Sequence, residues 1–240
     1  MYYSFNSKIR YSESDSEGRL TLCSLLNYFQ DCSTFQSESL GVGIDYLKEH
    51  HQVWVLSFWQ IIVERYPRLC EEVEIGTFPY EFKRFMGSRN FFLKSADGQY
   101  LAKANSLWSL LDTNTMKPTL PSEELLSHYP LQDKLPMDYA QRKIIVPEGG
   151  RMEEPVVVKK HHLDTNHHVN NGRYVDIAME YLPESFLEKG IGQLRAEYKM
   201  QAFLNDVLYP YVVQQGDSVT VSLQNQEGSP YVNIQFSQRR

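Results

Sequence analysis

Two stretches of this sequence run through the same order of elements, and the turns at their centres align residue for residue. Asp15-Ser16-Glu17-Gly18-Arg19-Leu20 lies over Asp164-Thr165-Asn166-His167-His168-Val169. Self-similarity on this scale constrains a fold more than any local propensity, because both copies must close as the same supersecondary unit. In the first copy Tyr3, Phe5, Ile9 and Tyr11 share one face of a period-two strand. A polar turn from Ser12 to Gly18 leads to Leu22, Leu25, Leu26 and Phe29, the i, i+3, i+4, i+7 stripe of an amphipathic helix that Gly41 and Gly43 should end. Val53 to Val63 is almost wholly apolar and reads as a strand covered on both faces. Strands are expected again at 73–84, 90–95 and 100–112, with Asp97-Gly98 as a tight turn.

Beyond residue 113, Pro118, Pro121, Pro130, Pro136 and Pro147 sit among polar residues, the composition of a connector. Then the order restarts. Val156 to Leu163 reads as a strand, Asp164 to His168 as a turn, and Tyr174, Ile177, Ala178 and Tyr181 as a helical stripe closed by Pro183. Strands follow near 191–203, 206–213, 217–224 and 230–236, with Glu227-Gly228 as a turn. The helical stripes fall about one turn out of the register set by the two aligned turns, so the repeat reads as architectural. The implied class is α+β, with residues 1–113 and 151–240 each an antiparallel sheet wrapped round a long apolar helix and 114–150 as the linker.

Composition removes several alternatives. With 42% hydrophobic and 13% aromatic residues, the 240-residue chain buries too much apolar surface to be disordered. A net charge of −6 argues against nucleic acid, which demands a basic face to displace counterions. The start, Met1 to Asn6, has no basic region ahead of an apolar run, and no stretch approaches the roughly 18 apolar residues of a membrane span, so a cytoplasmic protein is expected. Cys23, Cys32 and Cys70 are odd in number and lack any CxxC pairing, so they read as reduced, buried thiols.

The densest polar cluster runs from His161 to Gly172, where a strand joins a helix N-terminus. Unpaired backbone N–H groups and the positive end of the helix dipole favour a developing negative charge there, and an amide and an imidazole beside them make an acyl-transfer layout. Ordinary N-capping explains the same Asp and Asn residues. A metal reading of the four histidines beside Asp164 is weaker, since their spacing matches neither HxxxH nor a facial triad.

Asp164-Thr165-Asn166-His167-His168-Val169-Asn170-Asn171 resembles the D-x-N-x-H-V-N-N loop of the acyl-acyl carrier protein thioesterases, which terminate chains in fatty acid synthesis in plants and bacteria. Glu13 to Thr21, Leu107 to Asp112 leading to Lys117-Pro118, and Leu194-Arg195-Ala196-Glu197-Tyr198 are similar too, so the resemblance runs over nearly the whole chain. It implies a double hotdog fold, two tandem hotdog repeats, with acyl binding in the first and catalysis in the second. It implies hydrolysis of fatty acyl-acyl carrier protein without a cofactor, and a catalytic set of Asp164, Asn166, His168 and Glu197. In that set Glu197 activates a water, Asn166 and His168 with helix N-terminal amides hold the thioester oxygen and the water, and Asp164 orients the loop. Plant members carry a cysteine five residues after this glutamate, where Ala202 stands here, so a cysteine nucleophile at that position is excluded.

Glu197 shares a strand face with Arg195 and Lys199, which on pattern alone reads as a solvated charge row. A bulge or burial of that face would bring it into the site. Trp54, Phe58, Trp59, Ile61 and Val63 are candidates to line an acyl pocket, although plain core packing is the stronger account of them. The expected partner is an acidic acyl carrier protein carrying a fatty acyl chain, docking at Lys159-Lys160, Arg142-Lys143 or Lys83-Arg84, with no nucleic acid, no membrane span and a homodimer left open. An acyl-CoA thioesterase of the same fold and a non-catalytic acyl-binding module remain as alternatives.

Overall fold

The computed structural model describes residues 2–239. The chain divides into two compact units, Met1–Ser57 with Val63–Tyr139, and Phe58–Ile62 with Ala140–Arg240. The first contains β1 (Tyr3–Lys8), α1 (Leu22–Ser39), α2 (Ile44–Glu49), β2 (Gln52–Val63), β3 (Glu72–Lys83), β4 (Met86–Ser95), β5 (Tyr100–Asp112), the two-residue β6 (Lys117–Pro118) and α3 (Glu123–Ser127). Its strands lie in the order β1-β3-β4-β5-β2. Thr21 starts α1 by accepting a hydrogen bond from Ser24 N at 3.1 Å, and Gly41, at φ 73, provides the left-handed residue that closes it. Leu22, Leu25, Leu26 and Phe29 are all buried, and the Phe29 ring meets Phe91 of β4 at 5.3 Å between centroids. Each such side chain contributes about 1.5–3 kcal/mol of transfer free energy, so this one stripe fixes the helix on the sheet.

The second unit contains β7 (Arg151–Met152), β8 (Val156–Val157), α4 (Asn171–Met179), α5 (Glu184–Glu188), β9 (Ile191–Tyr198), β10 (Val207–Gln215), β11 (Ser218–Gln224) and β12 (Pro230–Gln238). Residues 58–62 of β2 begin its sheet, which continues β9-β12-β11-β10-β7, with β8 also on β10. The proline-containing segment 114–150 is shared out, up to Tyr139 in the first unit and from Ala140 in the second.

The repeat is closer than the sequence suggests. At the offset that carries Asp15 onto Asp164, the 3-10 turn Tyr11–Glu13 falls on Lys160–His162, and the buried set Cys23, Leu25, Leu26, Tyr28 and Phe29 falls on Gly172, Tyr174, Val175, Ile177 and Ala178. The helical stripes are therefore in register. The apparent slip of one turn came from reading Gly172 and Val175 as outside the stripe and Tyr181 as inside it, whereas α4 ends at Met179, half the length of α1, and Pro183 caps α5.

Other expectations need correction. The strand at Val156 to Leu163 is only β8, because the chain turns at Lys160–His162 to enter the loop, and β9 stops at Tyr198 rather than 203. Tyr11 is 87% exposed and opens the 3-10 turn instead of extending β1. Cys23 and Cys32 are buried, but Cys70 is exposed at φ 67 in a turn, and Asn205, at φ 71, occupies the matching turn of the second unit.

Candidate active site

The loop 164–168 is built by short-range bonds that its own residue types dictate. Asp164 N–H donates to His168 O at 3.0 Å, His167 N–H to Asp164 O at 3.1 Å, and Asn166 N–H to Asp164 Oδ1 at 2.8 Å. The first unit closes its turn the same way, with Asp15 Oδ1 accepting from Glu17 N and Arg19 N, both at 2.9 Å. Gly18 and His167 fill the same position, at φ 72 and φ 62, a left-handed conformation that glycine adopts freely and histidine tolerates. The scaffold is thus common to both copies, and the side chains on it differ. The first loop carries Glu17 and Arg19 where the second carries Asn166 and His168.

In the second loop, Asp164 Oδ2 lies 3.4 Å from His168 Nδ1, and Val169 O lies 3.3 Å from the same nitrogen. Both groups face Nδ1 as acceptors, so in the neutral ring the proton sits on Nδ1 and Nε2 carries the lone pair, and Nε2 has no partner among the described residues. Both side chains are about one-fifth exposed, 19% for His168 and 20% for Asp164, which shelters the pair while leaving it reachable. Asn166 is exposed, and its side-chain amide likewise has no protein partner among the described residues.

The chain after β9 anchors this loop. Val169 N–H donates to Ala202 O at 2.9 Å, Asn170 N–H to His162 O at 2.9 Å, and His168 bridges to Phe203. Ala202 N–H in turn donates to the buried Tyr174 Oη at 2.9 Å, and burial pushes that phenol's pKa well up. Tyr198 Oη donates to Asn171 O at 3.0 Å. Asn170 caps α4 by accepting from Gly172 N–H at 2.8 Å, so capping and the site coexist, and this amide is not left for a substrate oxygen.

His162 accepts from Lys159 N–H at Nδ1 at 3.0 Å, and burial with neighbouring positive charge lowers its pKa. Its proton sits on Nε2 as a result. His161 and His167 are exposed. Among the described residues no group of three or more His, Cys, Asp or Glu converges as a metal site.

Glu197 lies on β9. It is 5% exposed, so the row it shares with Arg195 and Lys199 is not simply solvated. The segment from Ala140 to Ile144 lies over that face. Gln60 Oε1 accepts from Ala140 N–H at 2.8 Å, Arg195 Nη2 donates to Gln141 O at 2.6 Å and Lys143 O at 3.1 Å, and Ile144 N–H donates to Glu197 Oε2 at 3.1 Å. Lys199 Nζ pairs with Glu197 Oε1 at 3.2 Å. Burial lowers the pKa of Arg195 against the raising effect of Glu197. No hydrogen bond or ion pair among the described residues joins Glu197 to the 164–168 loop. Asp164, Asn166 and His168 share the one loop, while the oxygens of Glu197 are bonded to Ile144 N–H and Lys199. The covering segment was not legible in the sequence, because it contributes only backbone groups to these bonds while β9 contributes the side chains.

The five apolar candidates divide between the units. Phe58, Trp59 and Ile61 are buried on the piece of β2 that pairs with β9, opposite Glu197, Ala196 and Leu194. Trp54 packs on Phe82 at 6.1 Å beside Val42, Leu110, Leu125 and Tyr129, and Val63 is buried in the first unit. All three basic pairs, Lys159-Lys160, Arg142-Lys143 and Lys83-Arg84, are exposed.

A family model described as the acyl-ACP thioesterase N-terminal domain matches residues 1–129, and one described as the acyl-ACP thioesterase C-terminal domain matches 149–237. The chain belongs to the acyl-ACP thioesterase family. The chloroplastic acyl-acyl-carrier-protein hydrolase FATB1 of Cuphea viscosissima is 28% identical over 214 residues, which is 83% of this chain and 51% of that protein. The chain spans about half the length of the curated relatives it matches. The crystal structure of an acyl-ACP thioesterase from Bacteroides thetaiotaomicron superposes with a TM-score of 0.91 at 22% identity, covering 99% of this chain and 98% of that one. The 12:0-ACP thioesterase from Umbellularia californica superposes at 0.87 with 20% identity, covering 99% and 97%. These likenesses give the double hotdog fold that the family resemblance implies. No helix among the described residues is long and apolar enough to cross a membrane.

Proposed function

We propose that this protein hydrolyses the thioester of fatty acyl-acyl carrier protein to a free fatty acid and the carrier thiol, with the 164–168 loop as the reacting centre. The observation that carries the reading is the Asp164–His168 pair, with Nδ1 committed to acceptors and the Nε2 lone pair open. In this mechanism His168 Nε2 takes a proton from water as the water oxygen attacks the thioester carbonyl, and the Asn166 amide donates to the oxygen that becomes negative. The imidazolium is stabilised by Asp164 and returns its proton to the departing thiolate. No side chain forms a bond to the acyl group, and Ala202 offers no nucleophile. Family membership, the Cuphea relative's name and the acyl-ACP thioesterase structures support the substrate class.

A second reading keeps Glu197 as the base, as the family resemblance implies. What favours it is a carboxylate 5% exposed on a strand, a rare placement that often marks function. What weighs against it is the engagement of both oxygens, by Ile144 N–H and Lys199. An apolar tail of the length fatty acids have is worth roughly 0.8 kcal/mol per buried CH₂, and Phe58, Trp59 and Ile61 offer apolar surface for it. The test is thiol release from matched panels of acyl-acyl carrier protein and acyl-CoA. Release from the carrier-protein panel with higher kcat/KM is expected. Preference for CoA would reassign the partner, and no release from either would end the enzymatic reading.

A further inference from the structure

The first unit buries a positive charge that no carboxylate neutralises among the described residues. Arg89 on β4 is 8% exposed, and its Nη1 donates to Gln36 Oε1 on α1 and to Thr77 Oγ1 on β3 at 3.2 Å. Gln36 and Thr77 are themselves 3% and 0% exposed. The guanidinium lies 5.7 Å from the ring centroid of Tyr129, whose hydroxyl bonds Ser37 Oγ at 2.8 Å. The groups able to become anionic that act on Arg89 are Tyr129 and Cys32, and burial pushes the Cys32 thiol up to about 12, so it stays neutral. No carboxylate pairs with Arg89 among the described residues. Desolvation pulls its own pKa down. A neutral side chain of similar volume would fill this place without that cost, because a buried charge without a counter-ion is strongly disfavoured.

The guanidinium is used on one side only. Nη1 meets neutral acceptors, while the edge formed by Nε–H and Nη2–H has no protein acceptor among the described residues. Those two parallel donors are the fork that matches a carboxylate bidentately. We propose that Arg89, with Gln36 and Thr77 fixing its orientation, forms a carboxylate-binding site in the first unit. The carboxylate belongs either to a free fatty acid or to the far end of an acyl chain bearing a terminal carboxyl. The second source rests on the thioesterase reading, and the first does not.

The experiment has two arms. Calorimetry on the full chain compares laurate with 1-dodecanol, which share the tail and differ in the head group. Thiol release compares a plain acyl-acyl carrier protein with one of equal length carrying a terminal carboxyl. A charged bidentate pair predicts a preference of about tenfold or more for the carboxylate in the arm that matches the source, lost in Arg89→Gln. Preference in the laurate arm identifies a free acid, and preference in kcat/KM identifies the chain end. Absence of preference in both arms, or preference that survives Arg89→Gln, overturns the site. If Arg89→Gln does not fold, Arg89→Lys keeps the charge without the fork and should weaken the preference several-fold, and an undiminished preference overturns the site equally. Hydrolysis of the plain substrate is read in the same assay, so a failed thioesterase reading is seen separately from a failed carboxylate site.

Discussion

His162 and His168 flank one turn and hold opposite tautomers. His162 Nδ1 accepts a backbone N–H, whereas His168 Nδ1 faces only acceptors, so His168 alone presents Nε2 as a base. Asp164→Asn tests this directly. The asparagine Oδ1 can still receive Asn166 N–H and keep the turn, but an amide facing Nδ1 no longer holds the proton there. We expect kcat to fall by about 10²-fold or more with little change in melting temperature, since correct positioning of a general base is worth about 10²–10⁴. Unchanged kcat would remove the pair from the mechanism. The buried ionisable groups of the first unit make a separate prediction. Burial moves Cys32 from 9.0 to about 12 and Tyr28 from 10.0 to about 12. The folded state then keeps protons that the unfolded chain releases, so their contribution to stability is whole below pH 9.0 and is lost as pH rises towards 12. Urea midpoints should decline across that window, and less steeply for Cys32→Ala. A flat wild-type profile would contradict the burial of these groups.

At the scale of elements, what was legible in the sequence was the order and the faces. The apolar run of β2, the α1 stripe and the turns at Gly98 and Gly228, at φ 82 and 80, follow directly from residue type. The register of α4 was not legible, because Gly172 packs by having no side chain and hydropathy patterns do not count it. Nor was the burial of Glu197, since alternation specifies a face and says nothing of a distant segment that covers it. The loop itself was readable because Asp, Asn and His side chains bond locally. Asn170→Ala should remove the cap of α4 and cost about 1 kcal/mol in denaturant unfolding. Gly76 faces Phe92 across β3 and β4, and a methyl placed there would overlap that ring. Gly76→Ala should therefore destabilise by about 1–3 kcal/mol, more than the cap does, and an unchanged midpoint would show the ring is not seated over the glycine.

At the scale of the molecule, the compact units do not follow the sequence halves, because residues 58–62 belong to the second unit and pair there with β9 while the rest of β2 belongs to the first. A fragment of residues 140–240 would lack Phe58 to Ile62 and expose the β9 edge, so it should self-associate, and a monomeric, folded fragment on gel filtration would contradict that pairing. The same turn scaffold carries Glu17 and Arg19 in one copy and Asn166 and His168 in the other. The account stands most directly on comparing His168→Ala with Glu197→Gln in thiol release from acyl-acyl carrier protein. It predicts a fall in kcat of about 10²–10⁴ for His168→Ala and a much smaller one for Glu197→Gln. The reverse order, with Glu197→Gln inactive and His168→Ala nearly intact, would contradict it.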